Sequence, residues 1–446
     1  MQLKRRLNLF DATLLVIGNV VGAGIFTTSG FLAGELPQPL FFIAIWVIGG
    51  LLTLCGALTY AEMAGMFPRS GGDYQFLKEA YGPGAGFLLG WVSFWVITPG
   101  SIAALSIALV SYVKGFILLS HPLSEKLLAV AIISFLSFIN YRGVRLSGTV
   151  QDIFTLGNLF IVFAIVLGGL ALGNGNWQNF TFASSASLPF SKLFGPAMIA
   201  VIFTYSGWFA SAYIGGEVKN PERNLPFSLL LGTIIITLLY TIINLVYLYA
   251  LPVSLLKDAV NVAQLAAETL FNPRVAQAVS ISIILAISGS INATILGGTR
   301  ICYAMAEDNI FWSPLKRLHP KYGTPYFSIL SQMILACILV LLGTFGQLLS
   351  CVVFVMLLSS IATGIAHFIL RLRKPELPRP YHTWGYPVVP FLFICIYAWI
   401  AIHIACSKPL TSIAGLIITI SGLPFFCIWS KMEKFRGEKE RDGRVS

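Results

Sequence analysis

The chain has 446 residues, of which 57% are hydrophobic and only 11% charged, with a formal net charge of +11. Uninterrupted apolar runs recur from end to end, which excludes a soluble domain and predicts an all-α polytopic membrane protein. The positive charge is therefore expected in loops between spans, not on a nucleic-acid-binding surface.

Lys4-Arg5-Arg6 precede the first apolar run. No small-x-small cleavage site follows, and the next run begins almost at once, so a retained span is expected here and not a signal peptide. Runs bounded by Pro, Gly and charge predict about twelve spans, near 12–33, 40–66, 84–113, 126–140, 149–172, 192–215, 227–250, 275–304, 326–345, 348–370, 387–406 and 410–430. With a cytoplasmic N-terminus, all of the 29 Lys and Arg fall on inner segments except Lys114, Lys126, Lys192, Lys257, Arg274 and Lys408. Missing a middle span would scramble that asymmetry. It predicts a multi-pass protein of the plasma membrane (the bacterial inner membrane) with both termini cytoplasmic.

The first span carries Gly18-Asn19-Val20-Val21-Gly22-Ala23-Gly24-Ile25-Phe26. Three glycines so close together serve either close helix packing, as the Gly18/Gly22 spacing suggests, or a break at bilayer depth. In the second case the half beginning at Ile25 offers free N–H groups and a positive dipole end to an anion such as a carboxylate.

Polar connections are expected near 67–83, 251–273, 306–324 and 371–386. The stretch 71–80 predicts a short cytoplasmic surface helix, and the amphipathic stretch 262–271 predicts a lid helix or a tether. The charged end, 436–446, predicts a disordered tail. Asp11 and Asp152, at span ends, are candidate helix caps. Glu62, near the inner end of the second span, is expected to pair with an inner-loop arginine or to carry a proton. Glu217 and Lys219 are candidates for inner-gate ion pairs.

The sixth span has its own interruption, Phe203-Thr204-Tyr205-Ser206-Gly207-Trp208-Phe209-Ala210-Ser211. Two interrupted spans, five apart and opposite in direction, fit an inverted repeat whose broken helices meet near the midplane. The division is then 1–11 as N-terminus, 12–172 and 192–370 as the five-helix repeats, 387–430 as two appended helices and 431–446 as tail. Carbonyls near Phe203–Ser206 suit an ammonium and the Gly22–Gly24 amides a carboxylate, so the pair suits a zwitterionic α-amino acid.

These residues resemble the amino acid–polyamine–organocation superfamily, most closely the bacterial relatives of the L-type amino acid transporters. The resemblance rests on Gly22-Ala23-Gly24-Ile25-Phe26, on Phe203-x-Tyr205-Ser206-Gly207-Trp208 with Glu217-Val218-Lys219-Asn220-Pro221, and on Phe67-Pro68-Arg69-Ser70-Gly71-Gly72-Asp73-Tyr74. Arg300-x-x-Tyr303-Ala304-Met305-Ala306-Glu307-Asp308 and Leu372-Arg373-Lys374-Pro375 with Gly385-Tyr386-Pro387 complete it. It covers nearly the whole chain, in order. It implies a leucine-transporter-type fold, a five-plus-five inverted repeat with two extra helices. Substrate binding is implied at Val21, Gly22, Ala23, Gly24, Ile25, Phe203, Tyr205, Ser206, Gly207 and Trp208, with Phe203 as a gate.

Two departures stand out. Ala23 occupies a position where many members have serine, so a carboxylate would rest on N–H groups alone. Asn158 occupies a position where several have lysine; an amide does not titrate at physiological pH, which argues against proton coupling there. Asn158 is instead a candidate bridge to the unwound first span. Ser288 and Ser290 are candidates for a coupling-cation site, or they bond their own i−4 carbonyls.

The seven cysteines form no C-x-x-C pair and the five histidines show no metal spacing, so neither metal nor cofactor is expected. A coupling ion, H+ or Na+, is left open, as are oligomeric state and the choice between antiporter and symporter. No phosphate-binding G-x-x-x-x-G-K-[S/T] motif occurs, and no nucleophile–base or paired-acid set lies at bilayer depth, which argues against ATP drive and against an enzyme. With no acid among the pocket candidates, the expectation is a secondary transporter of neutral amino acids working by alternating access. The alternatives are an amino-acid-binding membrane sensor and an exchanger of cationic amino acids or polyamines.

Overall fold

The computed structural model describes residues 5, 7–117, 121–181, 190–257, 259 and 261–442. The cap expected at Asp152 and the side chain of Ala23 lie outside what is described, as do residues 443–446 of the tail.

The first span is two helices, α1 (Leu9–Val20) and α2 (Ala23–Glu35), bent by 41° at the join. Asn8 and Asp11 close a reciprocal capping box at the start of α1, each side chain accepting from the other's backbone N–H. The second span is α3 (Pro39–Met66), followed by the connector α4 (Asp73–Tyr81). The third span joins α5 (Pro83–Val92) to α6 (Thr98–Val113) through a π-turn at Ser93–Ile97. Pro99 has no N–H to continue the i−4 ladder, and the ladder dislocates just before it.

α7 (Pro122–Arg142) and α8 (Val144–Leu172) are the fourth and fifth spans. The sixth is interrupted, α9 (Phe190–Tyr205) giving way to a single turn, α10 (Ala210–Tyr213). α11 (Pro221–Ala250) is the seventh. A short turn α12 (Val253–Leu256) and α13 (Val262–Leu270) lead to α14 (Pro273–Glu307), the eighth. The last four spans are α15 (Tyr326–Leu342), α16 (Phe345–Arg373), α17 (Val388–Ser407) and α18 (Pro409–Asp442).

Among the described residues, nine helical segments are long and apolar enough to cross a bilayer, and ten when the bent first span is included. The two other expected spans are shorter: α15 has 17 residues and α9 has 16. α18 stays helical to Asp442, where a disordered tail was expected from 436. Its Lys, Glu and Arg are good helix formers and simply prolong the preceding span.

The broken helices lie at the centre. α1 packs on α11, α8 and α14, and α2 packs on α9, so Val16, Val21, Ile25 and Phe26 are fully buried. Large apolar side chains such as Phe160, Leu167, Ile402 and Ile417 are instead exposed. That surface suits hydrocarbon, where nothing is gained by hiding them.

α4 is not the surface helix its sequence suggested. Six of its nine residues are buried, Asp73 among them. Gly72, at φ +49°, turns the chain inward in a conformation that a side chain would strain. Phe76 then packs edge-on against Tyr60 of α3, with ring centres 6.0 Å apart.

Candidate functional site

The first break sits at Val21–Gly22, where ψ of Val21 is 87° and Gly22 is extended, and helix resumes at Ala23. It was expected further on, with the second half starting at Ile25. Ala23, Gly24 and Ile25 are therefore first-turn residues of α2, whose amides have no acceptor one turn back. Gly22 at the N-cap supplies no side chain to satisfy them. The glycines also answer for packing. A Cβ on Gly22 would lie 2.0 Å from Ser290 Oγ, and one on Gly24 would lie 2.8 Å from Thr204 Cα. Breaking the helix and admitting its neighbours are one function here.

The carbonyl ends are held by two side chains. Asn158 Nδ2 donates to Val21 O at 3.1 Å, the bridge expected of it. Tyr240 on α11 donates its hydroxyl to Val20 O at 2.7 Å and lies 3.3 Å from Thr204 O. One phenol thus reaches the ends of α1 and α9 together. Nothing singled out Tyr240 in the sequence; the available signal was a hydroxyl in the middle of an apolar span, which must find a partner. Asn19 Nδ2 donates to Gly207 O at 3.2 Å, and the hydroxyls of Thr28 and Thr204 are 2.8 Å apart, completing the contact between the two broken spans.

The second break follows Tyr205. Gly207 has φ +100°, and a Cβ there would lie 2.6 Å from Asn19 Nδ2, so both its conformation and its neighbour require glycine. Ser206 donates to Phe203 O from its backbone N–H at 3.0 Å and from its hydroxyl at 2.6 Å. The Phe203 carbonyl, expected to be open to an ammonium, is thus already engaged.

Between the breaks lies a cavity of about 130 Å³. Of the expected residues, Gly22, Gly24, Phe203, Ser206, Gly207 and Ser290 line it. Val21, Ile25, Tyr205, Trp208, Asn158 and Ser288 do not. The Tyr205 hydroxyl donates to Trp46 O at 2.9 Å. Trp208 turns toward Tyr60, 4.7 Å between ring centres, so that Phe209 faces the cavity in its place. Ser288 donates to its own i−4 carbonyl, Ile284 O, at 2.7 Å. Ser290 does the same toward Ala286 O at 3.4 Å while abutting Gly22.

Several lining residues were not foreseen: Asn19, Ser93 in the π-turn and Thr98 just after it, Ser359 and Ser360 of α16, and Asp73 with Tyr213. Asp73 overturns the expectation of a pocket without an acid. It is 4% exposed, and Tyr213 donates its hydroxyl to Oδ2 at 3.0 Å. Burial pushes its carboxyl up to about 7, against the opposing pull of the hydroxyls around it. The connector placed it out of view, because an acid on a short helix between spans gives no sign of which cavity it reaches.

Beyond this end of the cavity, Glu217 pairs with Arg300 at 3.3 Å. Leu7 is pinned alongside, its N–H donating to Glu217 O at 3.0 Å and its carbonyl accepting from Lys219 N at 2.8 Å. Glu62 is fully buried and structural: Arg371 donates to both carboxylate oxygens, at 2.9 and 2.5 Å, Arg379 lies 3.3 Å away, and Thr383 N donates at 2.8 Å. Among the described residues no group of His, Cys, Asp and Glu is arranged to hold a metal ion.

A family model described as amino acid permease matches residues 7–427. The chain is similar to the serine/threonine exchanger SteT of Bacillus subtilis (strain 168), at 32% identity over 427 residues, covering 95% of this chain and 96% of that protein. It is also similar to the human Asc-type amino acid transporter 1, at 28% identity over 434 residues, 95% of this chain and 82% of the relative. A third relative is the human large neutral amino acids transporter small subunit 2, at 28% over 431 residues, 95% and 80% of the two chains.

Proposed function

The chain belongs to the amino acid permease family, and on that premise we propose that the cavity between its two breaks carries a small neutral α-amino acid across the bilayer. The protein is a multi-pass membrane transporter of leucine-transporter type, not an enzyme. The observation that carries the reading is the pair of breaks facing a single cavity, with Gly22 and Gly24 of the uncapped start of α2 on its wall.

In this reading the α-carboxylate sits on the first-turn amides, at the positive end of α2. The ammonium is held beside Ser206 at the interruption of the sixth span, and the side chain lies toward Ser290 and Phe209. Phe203 closes over it as a gate. Asn158 and Tyr240 keep the broken ends in register without touching substrate. Residues 12–172 and 192–370 are the two repeats that rock against each other, 387–430 the appended helices, and both termini are cytoplasmic.

Size supports a small substrate. The cavity of about 130 Å³ is close to the roughly 150 Å³ of a cavity that holds benzene, and a relative matched over 96% of its length is named as a serine/threonine exchanger. A cationic substrate is disfavoured because the remaining lining is apolar or uncharged, and Asp73, the one acid named on the wall, is engaged by the Tyr213 hydroxyl. Competition among the proteinogenic amino acids for uptake into proteoliposomes tests the reading. Serine, threonine and alanine are expected to compete best; arginine or a polyamine outcompeting them would overturn it.

A further inference from the structure

We propose that Asp73 is a proton-binding site of the transport cycle, protonated in the arrangement described here and giving its proton to water on the α4 side when α10 draws away from it. The inference rests on the cavity being the transport site, and it names an ion for that site.

Three observations carry it. First, position: Asp73 is the first residue of α4 and lies on the cavity wall beside Tyr213 and Ile214, which directly follow the sixth break. A change in the broken span is therefore felt at its carboxyl. Second, its company is uncharged. The groups facing it are the hydroxyls of Tyr213 on α10, Tyr60 on α3 and Thr363 on α16. Of the charged side chains on the elements around it, Glu62 is engaged with Arg371 and His367, Lys78 with Asp308, Glu79 with Lys374 and Arg300 with Glu217.

Third, its hydrogen bonds are incomplete. Oδ2 accepts from Tyr213, but Oδ1 is buried without a partner, as are the Tyr60 hydroxyl and Thr363 Oγ1. A buried carboxylate whose company is hydroxyls at imperfect geometry and no cation is costly, and the neutral acid is the form such a site favours. A proton on Oδ1 also adds a donor to this group of oxygens. Burial lifts the carboxyl from its ordinary 3.8 to about 7, so a modest change in surroundings switches it near neutral pH.

The step balances simply: the O–H bond of the carboxylic acid breaks, the electron pair stays on Oδ1, and the proton passes to water. Movement of α10 would end the burial of the carboxyl, and entry of water then favours the charged form by more than loss of the Tyr213 bond favours the acid, burial being the larger of the two influences. Asn158 cannot play this part, because an amide has no proton to exchange in this range.

Infrared difference spectroscopy of the purified protein in lipid, without substrate, reads the protonated carboxyl directly. A carboxylic-acid band is expected to disappear with a midpoint near neutrality and to be missing in Asp73→Asn. Tyr213→Phe removes a donor to the carboxylate and is expected to raise the midpoint by about one pH unit, a roughly tenfold change in proton affinity. In proteoliposomes the pH profile of exchange, normalised to each variant's own maximum, is expected to be flat for Asp73→Asn and restored by Asp73→Glu. A titrating band that persists unchanged in Asp73→Asn overturns the proposal, as does a wild-type pH profile in that variant or an unmoved midpoint in Tyr213→Phe. The spectroscopic titration uses no amino acid, so an error in the substrate reading leaves it untouched. Tyr213→Phe keeps the test open should Asp73→Asn fail to fold.

Discussion

Gly22→Ala places a β-carbon 2.0 Å from Ser290 Oγ and 2.8 Å from Ser290 Cβ. Rotation of the serine moves its hydroxyl away, but Cβ stays where α14 holds it, so the first break and α14 must separate. Overpacking of this kind costs about 1–3 kcal/mol. If the separation displaces the first-turn amides of α2, substrate affinity falls by roughly 5- to 150-fold. Ser290→Gly removes both clashing atoms at a cost of about 1 kcal/mol for glycine within a helix, so the double variant should recover most of the loss. Gly24→Ala is the contrasting case. Its nearest neighbour is Thr204 Cα, a backbone atom 2.8 Å away, and Thr204→Ala leaves that atom in place. Calorimetric titration of serine into the purified variants, with melting temperatures in parallel, reads both effects. The reasoning fails if Gly22→Ala/Ser290→Gly binds no better than Gly22→Ala, or if Thr204→Ala rescues Gly24→Ala as fully as Ser290→Gly rescues Gly22→Ala.

Tyr240→Phe keeps the ring contacts with Trp46 and Tyr205, 5.8 and 5.1 Å between centres, but leaves Val20 O without its donor. A loss of about 1–3 kcal/mol is expected, seen as a lower melting temperature with weaker substrate binding; unchanged binding would remove Tyr240 from the site's support. Glu62→Gln leaves Arg371 and Arg379 without their carboxylate and should destabilise by about 3–5 kcal/mol, with Arg371→Ala in the same chain recovering part of it in thermal melts. Asp73 makes stability depend on pH with a definite sign. Its folded value near 7 lies above the ordinary 3.8, so its stabilising contribution is full below about pH 4 and is lost as pH rises toward 7, at about 1.4 kcal/mol per unit. Melting of the wild type should therefore decline relative to Asp73→Asn across that window and run parallel above it; parallel curves throughout would refute the shift.

The apolar runs by themselves determined the class and most of the spans, because hydropathy summed over a span reports the solvent it must face. Gly22–Gly24 and Gly207 marked where the first and sixth spans break, since only a special backbone need accounts for glycine there, and Asn158 was legible as an amide inside a membrane helix that must find a partner. Tertiary structure decided everything that depends on rotation about a helix or on contacts remote in sequence. Trp208 and Phe209 are adjacent, yet the twist of the turn after Gly207 sends one to Tyr60 and the other to the cavity. Tyr240 meets Val20 across 220 residues. Asp73, read as part of a short surface helix, is carried onto the cavity wall by the inward turn at Gly72 and the burial of α4. A pattern along the chain records what each segment is immersed in, whereas the site is made by which single face of each segment its neighbours leave uncovered.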